Sequence, residues 1–329
     1  MSTSQAFDAI VIGTGQAGPP LAARLAGAGW RVAIIERHRF GGTCVNTGCI
    51  PTKALVASAH GAGLALGGTD YGVKLAGGVE IDFAAVMARK DRISGRSNQN
   101  VEKWVRGLPR AEVFMGHARF ESPRQVRVGE ALLESEHIFI NVGGRAATPP
   151  IEGLQDVPYL TNSSLMRLDR LPDHLAVVGG SYVGLEFAQM FRRFGSRVTV
   201  LQRDAQIMPR EDADVATAVQ EVLALESIEV RVKSECIRVS PSGGAIEVGS
   251  HCDGSHQAFE ATHVLVATGR EPNTQDLGLE AAGVLMDSRG YIEVDDQLRA
   301  NVAGIWALGG CNGGGAFTQS TKRRTSAGT

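Results

Sequence analysis

A strand followed by a glycine-rich turn, a helix and a second strand occurs twice in this chain, in one register, and few folds accommodate that. Phe7-Asp8-Ala9-Ile10-Val11-Ile12 has the uninterrupted apolar pattern of a short buried strand and runs directly into Gly13-Thr14-Gly15-Gln16-Ala17-Gly18. A helical stretch with Leu21-Ala22-Ala23 and Leu25-Ala26 ends at Gly29, and Val32-Ala33-Ile34-Ile35 forms the next strand, closed by Glu36. The glycines allow a tight turn and close approach to a pyrophosphate at the helix N-terminus, and an acid at the end of the second strand can hold a ribose diol. Gly13, Gly15, Gly18 and Glu36 are therefore expected to bind a dinucleotide. The competing reading is a glycine-rich loop that serves only tight packing.

The second copy begins at Leu175-Ala176-Val177-Val178 and continues through Gly179-Gly180-Ser181-Tyr182-Val183-Gly184, a helix to Gly195 and the strand Val198-Thr199-Val200-Leu201. A shift of 166 residues superposes Gly13 on Gly179, Gly18 on Gly184, Gly29 on Gly195, Arg31 on Arg197 and Val32 on Val198. Repetition of a nucleotide-binding unit implies two different dinucleotides, one a flavin nucleotide and one a nicotinamide. Gly179 and Gly184 are expected to serve the second. Ser181 replaces the middle glycine, and Gln202 followed by Arg203 stands opposite Glu36 and Arg37. An acid would repel a 2′-phosphate and an arginine would attract it, so NADPH is expected over NADH. A solvated surface arginine is the alternative for Arg203.

Between the copies stands Gly41-Gly42-Thr43-Cys44-Val45-Asn46-Thr47-Gly48-Cys49-Ile50-Pro51-Thr52-Lys53. On one ideal helix a five-residue offset rises about 7.5 Å, beyond disulfide reach, so a bond between Cys44 and Cys49 requires a bent backbone. Gly48 permits the bend, and Pro51 suits the first turn of a helix through Lys53 and Ala57, whose positive end favours a thiolate. The spacing alone leaves redox use and simple burial both open.

A chain of 329 residues, 43% hydrophobic and 21% charged, is long enough for two domains with full cores. A net charge of −2, with no basic run longer than Lys322-Arg323-Arg324, argues against nucleic acid or an anionic membrane as partner. Neither a signal peptide nor an apolar run of membrane-spanning length is evident, so a cytoplasmic protein is expected. Five cysteines in a reducing compartment do not form a disulfide scaffold; Cys236, Cys252 and Cys311 are isolated and read as incidental. Ile81 to Leu108 is helical in pattern. Val113-Phe114-Met115-Gly116-His117-Ala118-Arg119-Phe120 and the segments near Val126 and Leu132 read as short strands, and Ile138-Phe139-Ile140-Asn141-Val142 leads into Gly143-Gly144-Arg145. Pro149-Pro150 marks a crossover. His263 to Val266 is another strand pattern ending in Gly269-Arg270, and Gly304 to Leu308 is the last, before a polar, basic tail expected to be unstructured.

Taken together, GTGQAG, GGTCVNTGCIPTK, GGSYVGLE, PRED, VATGREPN and GIWALGG resemble the class I pyridine nucleotide-disulfide oxidoreductases, and CVNTGCIPTK with LQR is most similar to the mercuric reductase-like branch. The resemblance runs from about Phe7 to Gly309. It implies an α/β fold of two Rossmann-like domains of the three-layer ββα type, with FAD on residues 1–150 plus 275–320, NAD(P) on 151–274 and a disordered tail over 321–329. It further implies that NADPH reduces FAD and that electrons pass to a Cys44–Cys49 disulfide, Cys49 lying against the flavin and Cys44 meeting substrate. Lys53 is similar to a lysine beside the flavin ring, with Glu186 as its ion-pair partner. Gly42, Thr43, Lys53, Ala118, Gly144, Gly269, Arg270 and Gly310 are carried over as cofactor-contacting positions, and no metal ligands are assigned.

Two departures shape the expected function. Members usually carry an aspartate at the position of Gly310, where it binds the flavin ribityl chain. They also continue into a third domain that forms the homodimer and supplies a histidine–glutamate base; here the interface domain is expected to be missing and turnover impaired. The expected activity is that of an FAD-dependent NAD(P)H oxidoreductase acting on a disulfide, metal ion or other small-molecule acceptor. The alternatives are a dihydrolipoamide dehydrogenase-like NADH enzyme, a flavin reductase that bypasses the cysteines, and a nucleotide-binding remnant without turnover.

Overall fold

The computed structural model describes residues 4–252 and 255–315, so the tail expected over 321–329 lies outside the described residues. The chain divides into two compact units. One comprises the residues up to Ile50, Ile93–Arg145 and those from Arg270 on; the other comprises Pro51–Arg92 and Ala146–Gly269.

The first unit is built on a five-stranded parallel sheet in the order Ile305–Ala307, Ile138–Ile140, Ala9–Ile12, Val32–Glu36, Ala111–Met115. Every residue of Ala9–Ile12 and Val32–Glu36 is buried, as befits parallel strands covered on both faces. Successive side chains point to opposite faces, which gives the unit two cores. Ala9, Val11, Val32 and Ile34 pack with Ala22 and Ala26 of the helix Gly18–Gly27 and with Val105. Ile10, Ile12, Ala33 and Ile35 pack instead with Phe120, Val126 and Leu133. Those three come from a meander of Ala118–Ser122, Gln125–Val128 and Ala131–Glu134, antiparallel throughout. Helix, parallel sheet and antiparallel sheet make the expected three layers.

The second unit repeats the plan. Its parallel sheet runs Tyr159–Leu160, His263–Val266, His174–Val178, Arg197–Leu201, Glu229–Arg231, and Leu175 pairs with Val198 just as Ala9 pairs with Val32. Leu175, Val177, Val198 and Val200 face the helix Tyr182–Phe194 through Phe187, Ala188 and Phe191. Ala176 and Val178 face the antiparallel strands Ser234–Ser242 and Ala245–Cys252 through Val239, Ile246 and Val248.

Residues 51–92 group with the second unit, although chain order had placed them within the expected 1–150 boundary. The reason is apolar contact: Leu55, Ala59, Phe83 and Met87 share a core with Phe187, Phe191 and Phe194. Buried Lys90 also donates to Met166 O at 2.5 Å. Compact units follow packing, and nucleotide-binding boundaries need not coincide with them. Among the described residues, no helix is long and apolar enough to cross a membrane.

Candidate functional site

In the first unit the turn after Ala9–Ile12 is held by backbone proximity. Gly13 has φ +102°, and a Cβ there would stand 2.4 Å from Asn141 O. A Cβ on Gly18 would come within 2.2 Å of Gly13 O. Neither position can carry a side chain without moving the main chain. Ala17, at the head of the helix Gly18–Gly27, offers no capping side chain, the condition under which an anion can cap a helix instead.

Glu36 ends the neighbouring strand and is buried. Its Oε2 accepts from Thr14 N–H at 3.1 Å and from the Thr14 hydroxyl, and its Oε1 accepts from His38 N–H at 2.9 Å. Two residues that pattern reading passed over complete this loop. Thr14, fully buried, accepts from Gly41 N–H at 3.2 Å through its hydroxyl. Asn141 accepts from Gly18 N–H at 3.0 Å and donates to Leu308 O at 3.0 Å, joining the glycine loop to the turn after Ile305–Ala307. Their signal in the sequence was position alone, a polar residue next to each of two strand ends.

The cysteine segment packs against that loop. Gly42 has φ +58°, and a Cβ on it would lie 2.9 Å from Gly15 Cα, so the two backbones touch. From Gly42 the chain makes a five-residue helix to Asn46, leaves it at Thr47 with φ −143°, and starts a new helix, Cys49–Leu66, at the second cysteine. Thr47 N–H still donates to Thr43 O at 2.9 Å. Gly48 sits so close that a Cβ would be 3.0 Å from that same oxygen. The bend required between Cys44 and Cys49 is therefore present, and both residues are half-buried. The short helix is tied down by side chains: the Asn46 amide donates to Phe40 O at 2.8 Å, and buried Ser94 donates to Val45 O at 2.7 Å.

Gly144, Arg270 and Gly310 are also brought together. The Arg270 guanidinium donates to Gly144 O, Tyr291 donates to Arg270 O at 3.0 Å, and a Cβ on Gly310 would have Gly144 N as its nearest neighbour at 3.7 Å. Ala118 lies apart from this group, in the core between the parallel sheet and the meander. Cys311 is a buried thiol pushed up to about 11 by burial, with backbone hydrogen bonds acting against the shift. Its Sγ donates to Leu308 O at 3.3 Å, which fits a structural role.

In the second unit a Cβ on Gly179 would be 2.5 Å from Ala267 O, and one on Gly184 would be 2.0 Å from Gly179 O. Ser181 heads the helix Tyr182–Phe194 without a side-chain capping bond. Gln202, buried, accepts from Gly180 N–H at 2.7 Å, while the Arg203 side chain is 81% exposed. Gly269 accepts from Ala147 N–H at 3.0 Å, and no atom would crowd a Cβ there. Lys53 and Glu186 form an ion pair, and both belong to this unit.

The pyridine nucleotide-disulphide oxidoreductase family model matches residues 7–327. The chain belongs to that family. It is 36% identical over 320 residues to the probable pyridine nucleotide-disulfide oxidoreductase RclA of Escherichia coli K12, covering 95% of this chain and 67% of RclA. It is also 36% identical over 307 residues to mercuric reductase of Acidithiobacillus ferrooxidans, covering 92% of this chain and 55% of that protein. A solved structure of the HOCl-induced flavoprotein disulfide reductase RclA from Escherichia coli superposes with TM-score 0.86 at 34% identity over 97% of this chain and 69% of that one. This family member thus spans between 55% and 67% of the length of these two curated relatives.

Proposed function

We propose that this family member is an FAD-dependent NAD(P)H oxidoreductase in which Cys44 and Cys49 reduce a disulfide or a soft metal ion. The observation that carries the reading is the contact of Gly42 with Gly15, which seats the cysteine segment on the first dinucleotide loop. Residues 1–150 plus 275–320 would hold FAD and residues 151–274 NAD(P), with Gly13, Gly15, Gly18, Gly42 and Thr43 about the flavin nucleotide, and Gly179, Gly184, Gly269 and Arg203 about the nicotinamide nucleotide. The fit is favourable at both loops: each has bare glycine backbone and a helix N-terminus without a capping side chain. Glu36 retains acceptor capacity for a ribose hydroxyl, since a carboxylate can accept about four hydrogen bonds.

The chain's own chemistry is thiol–disulfide exchange. The Cys44 thiolate attacks one sulfur of the substrate, releasing one thiolate and leaving a mixed disulfide. The Cys49 thiolate then attacks Cys44 Sγ, which releases the second thiolate and closes the Cys44–Cys49 bond. Two electrons leave the pair, and the two product thiolates take protons from solvent. When bound, FAD supplies the two-electron relay that restores the dithiol at the expense of NAD(P)H. Lys53, held by Glu186, is the cation that the resemblance assigns to the flavin ring. A disulfide substrate agrees with the name of RclA and a metal ion with that of mercuric reductase. NADPH is favoured by Gln202 and Arg203, and a cytoplasmic location by the reducing environment a working dithiol needs.

Purified protein tests this directly. The expected result is a yellow protein that reduces a dithiobenzoate disulfide with NADPH. Replacing Cys44 or Cys49 by Ser should lower that rate by about a thousandfold or more while leaving the flavin absorbance unchanged. Colourless protein, or a serine variant of undiminished rate, would sink the proposal. Undiminished quinone reduction by the same variants would favour the flavin reductase alternative as a second activity.

A further inference from the structure

The two nucleotide loops differ most in how the residue at the end of the second strand is tied down. In the first unit Glu36 uses one oxygen for Thr14 N–H and the other for His38 N–H, two residues further on. The 166-residue shift places Gly180 on Thr14, Gln202 on Glu36 and Asp204 on His38. Gln202 Oε1 keeps the first of these bonds, accepting from Gly180 N–H at 2.7 Å. At the second point a carboxylate oxygen has become an amide NH₂, which can only donate. A backbone N–H there would leave two donors facing each other. Instead the Gln202 amide donates to Asp204 Oδ2 at 2.5 Å. Flipping the amide would set its NH₂ against Gly180 N–H and its oxygen against the carboxylate, so this orientation is fixed by both partners.

Asp204 is further anchored by its main chain, whose carbonyl accepts from Lys233 N–H at 2.9 Å. Its side chain remains 41% exposed, and its other oxygen, Oδ1, lies 3.9 Å from the guanidinium of Arg203. The end of this strand thus carries an anchored carboxylate beside an exposed arginine. The acid missing at 202 has been displaced by two residues.

We infer that Asp204 is a specificity-determining residue that opposes Arg203: it accepts the free 2′-hydroxyl of NADH and repels the 2′-phosphate of NADPH, so that this family member uses both coenzymes. The inference rests on the reading of the second unit as the nicotinamide nucleotide site. Arg203 alone would give a strongly NADPH-selective protein; the neighbouring carboxylate offsets its charge and supplies the hydrogen-bond acceptor a diol requires.

The test needs no turnover. Titration calorimetry on the purified full chain with 2′,5′-ADP and with 5′-AMP isolates the contribution of the 2′-phosphate. The wild-type protein is expected to favour 2′,5′-ADP by less than about tenfold. Asp204→Asn, which keeps an acceptor for the Gln202 amide, should raise that ratio at least about fivefold and lose part of the gain at high salt. The ratio of kcat/KM for NADPH over NADH should move the same way. Arg203→Ala should lower the ratio. Should Asp204→Asn leave the ratio unchanged or reduce it while Arg203→Ala lowers it, the role of Asp204 is overturned and the nicotinamide reading survives. Absence of binding by either probe to the wild-type protein would overturn both. Asp204→Ser, with circular dichroism matching wild type, guards against a folding defect in the asparagine variant.

Discussion

Around Gly13 and around Gly179 the main chain makes the same hydrogen bonds. Gly13 N–H donates to Ile35 O at 2.8 Å and Gly179 N–H to Leu201 O at 2.9 Å; Asn141 N–H donates to Ile12 O at 2.7 Å and Ala267 N–H to Val178 O at 2.8 Å. The side chains at these matched places diverge. Thr14 faces Glu36 in one loop where Gly180 faces Gln202 in the other, and the side-chain bridge from Asn141 to Gly18 has no counterpart at Ala267. The backbone, set by glycines and strand register, repeats the same bare, uncapped turn in either unit, the feature that the proposed nucleotide sites share. A handful of polar side chains then decides what else each loop can hold.

The largest effects should come from breaking one loop at a time. An alanine at Gly18 or Gly184 would drive its Cβ to 2.2 Å or 2.0 Å from a carbonyl oxygen of the same turn. Each should cost about 3 kcal/mol, roughly a hundredfold in affinity for its own nucleotide. Gly18→Ala should purify without flavin yet still bind 2′,5′-ADP in calorimetry, and Gly184→Ala should stay yellow and lose 2′,5′-ADP. A Gly184→Ala protein that also lost its flavin would show that the two loops do not act independently.

Asn141→Ala makes the first loop resemble the second. Gly18 N–H and Leu308 C=O then lose a partner each, at a cost of about 1–3 kcal/mol, and FAD should dissociate about tenfold more readily in a flavin fluorescence assay. Because alanine already serves at 267, the strand itself should tolerate the change; wholesale unfolding would mean that Asn141 holds the unit rather than the loop. A smaller effect in the opposite direction is expected from Gly310→Asp. The nearest atom to a Cβ at 310 is 3.7 Å away, so a side chain fits, and the charge-assisted bond to the ribityl chain that the family resemblance implies for an aspartate there should tighten FAD by up to about tenfold.

Most of the fold was legible because it rests on patterns the chain cannot hide. Apolar runs of four or five residues announced the central strands, and the repeat announced a second strand–turn–helix–strand unit; that Leu175 lies opposite Val198 is shown by the structure. A bend between Cys44 and Cys49 was expected on the condition that the two bond, with Gly48 as the residue to permit it, and the structure has that bend. What escaped reading depended on contacts between distant segments. Nothing local in residues 51–92 signals that Leu55 and Phe83 share a core with Phe191. Asn141 and Thr14 look like ordinary polar residues until their partners, Leu308 and Gly41, arrive from elsewhere in the chain. Asp204 was invisible for the same reason: only the fixed Gln202 amide shows which way its carboxylate is held.

The comparison extends to the far ends of the same strands, where pH should separate the units. The repeat sets His174 on Asp8. Asp8 Oδ2 accepts from Arg31 N–H at 2.7 Å at an exposed position, whereas His174 is buried, with Nδ1 2.7 Å from Glu260 O and Nε2 2.9 Å from Thr199 Oγ1. Burial lowers the pKa of His174; Arg197 and Arg231 add to this, and the Glu260 carbonyl and Glu229 act against it. Burial likewise lowers that of His263 in the same unit, against the pull of Asp173 and Asp169. A folded state whose histidine pKa is depressed binds fewer protons than the unfolded chain. Its stability is therefore complete above the unfolded value of about 6.5 and is lost progressively as pH falls below it toward the folded pKa. All three tryptophans, Trp30, Trp104 and Trp306, lie in the first unit, so their fluorescence reports on that unit alone. Between pH 7 and about pH 5, thermal unfolding followed by circular dichroism should shift downward ahead of unfolding followed by tryptophan emission. His174→Gln, which keeps a donor for Glu260 O without a titrating ring, should narrow that gap; a gap unchanged by the substitution would assign the acid sensitivity to another group.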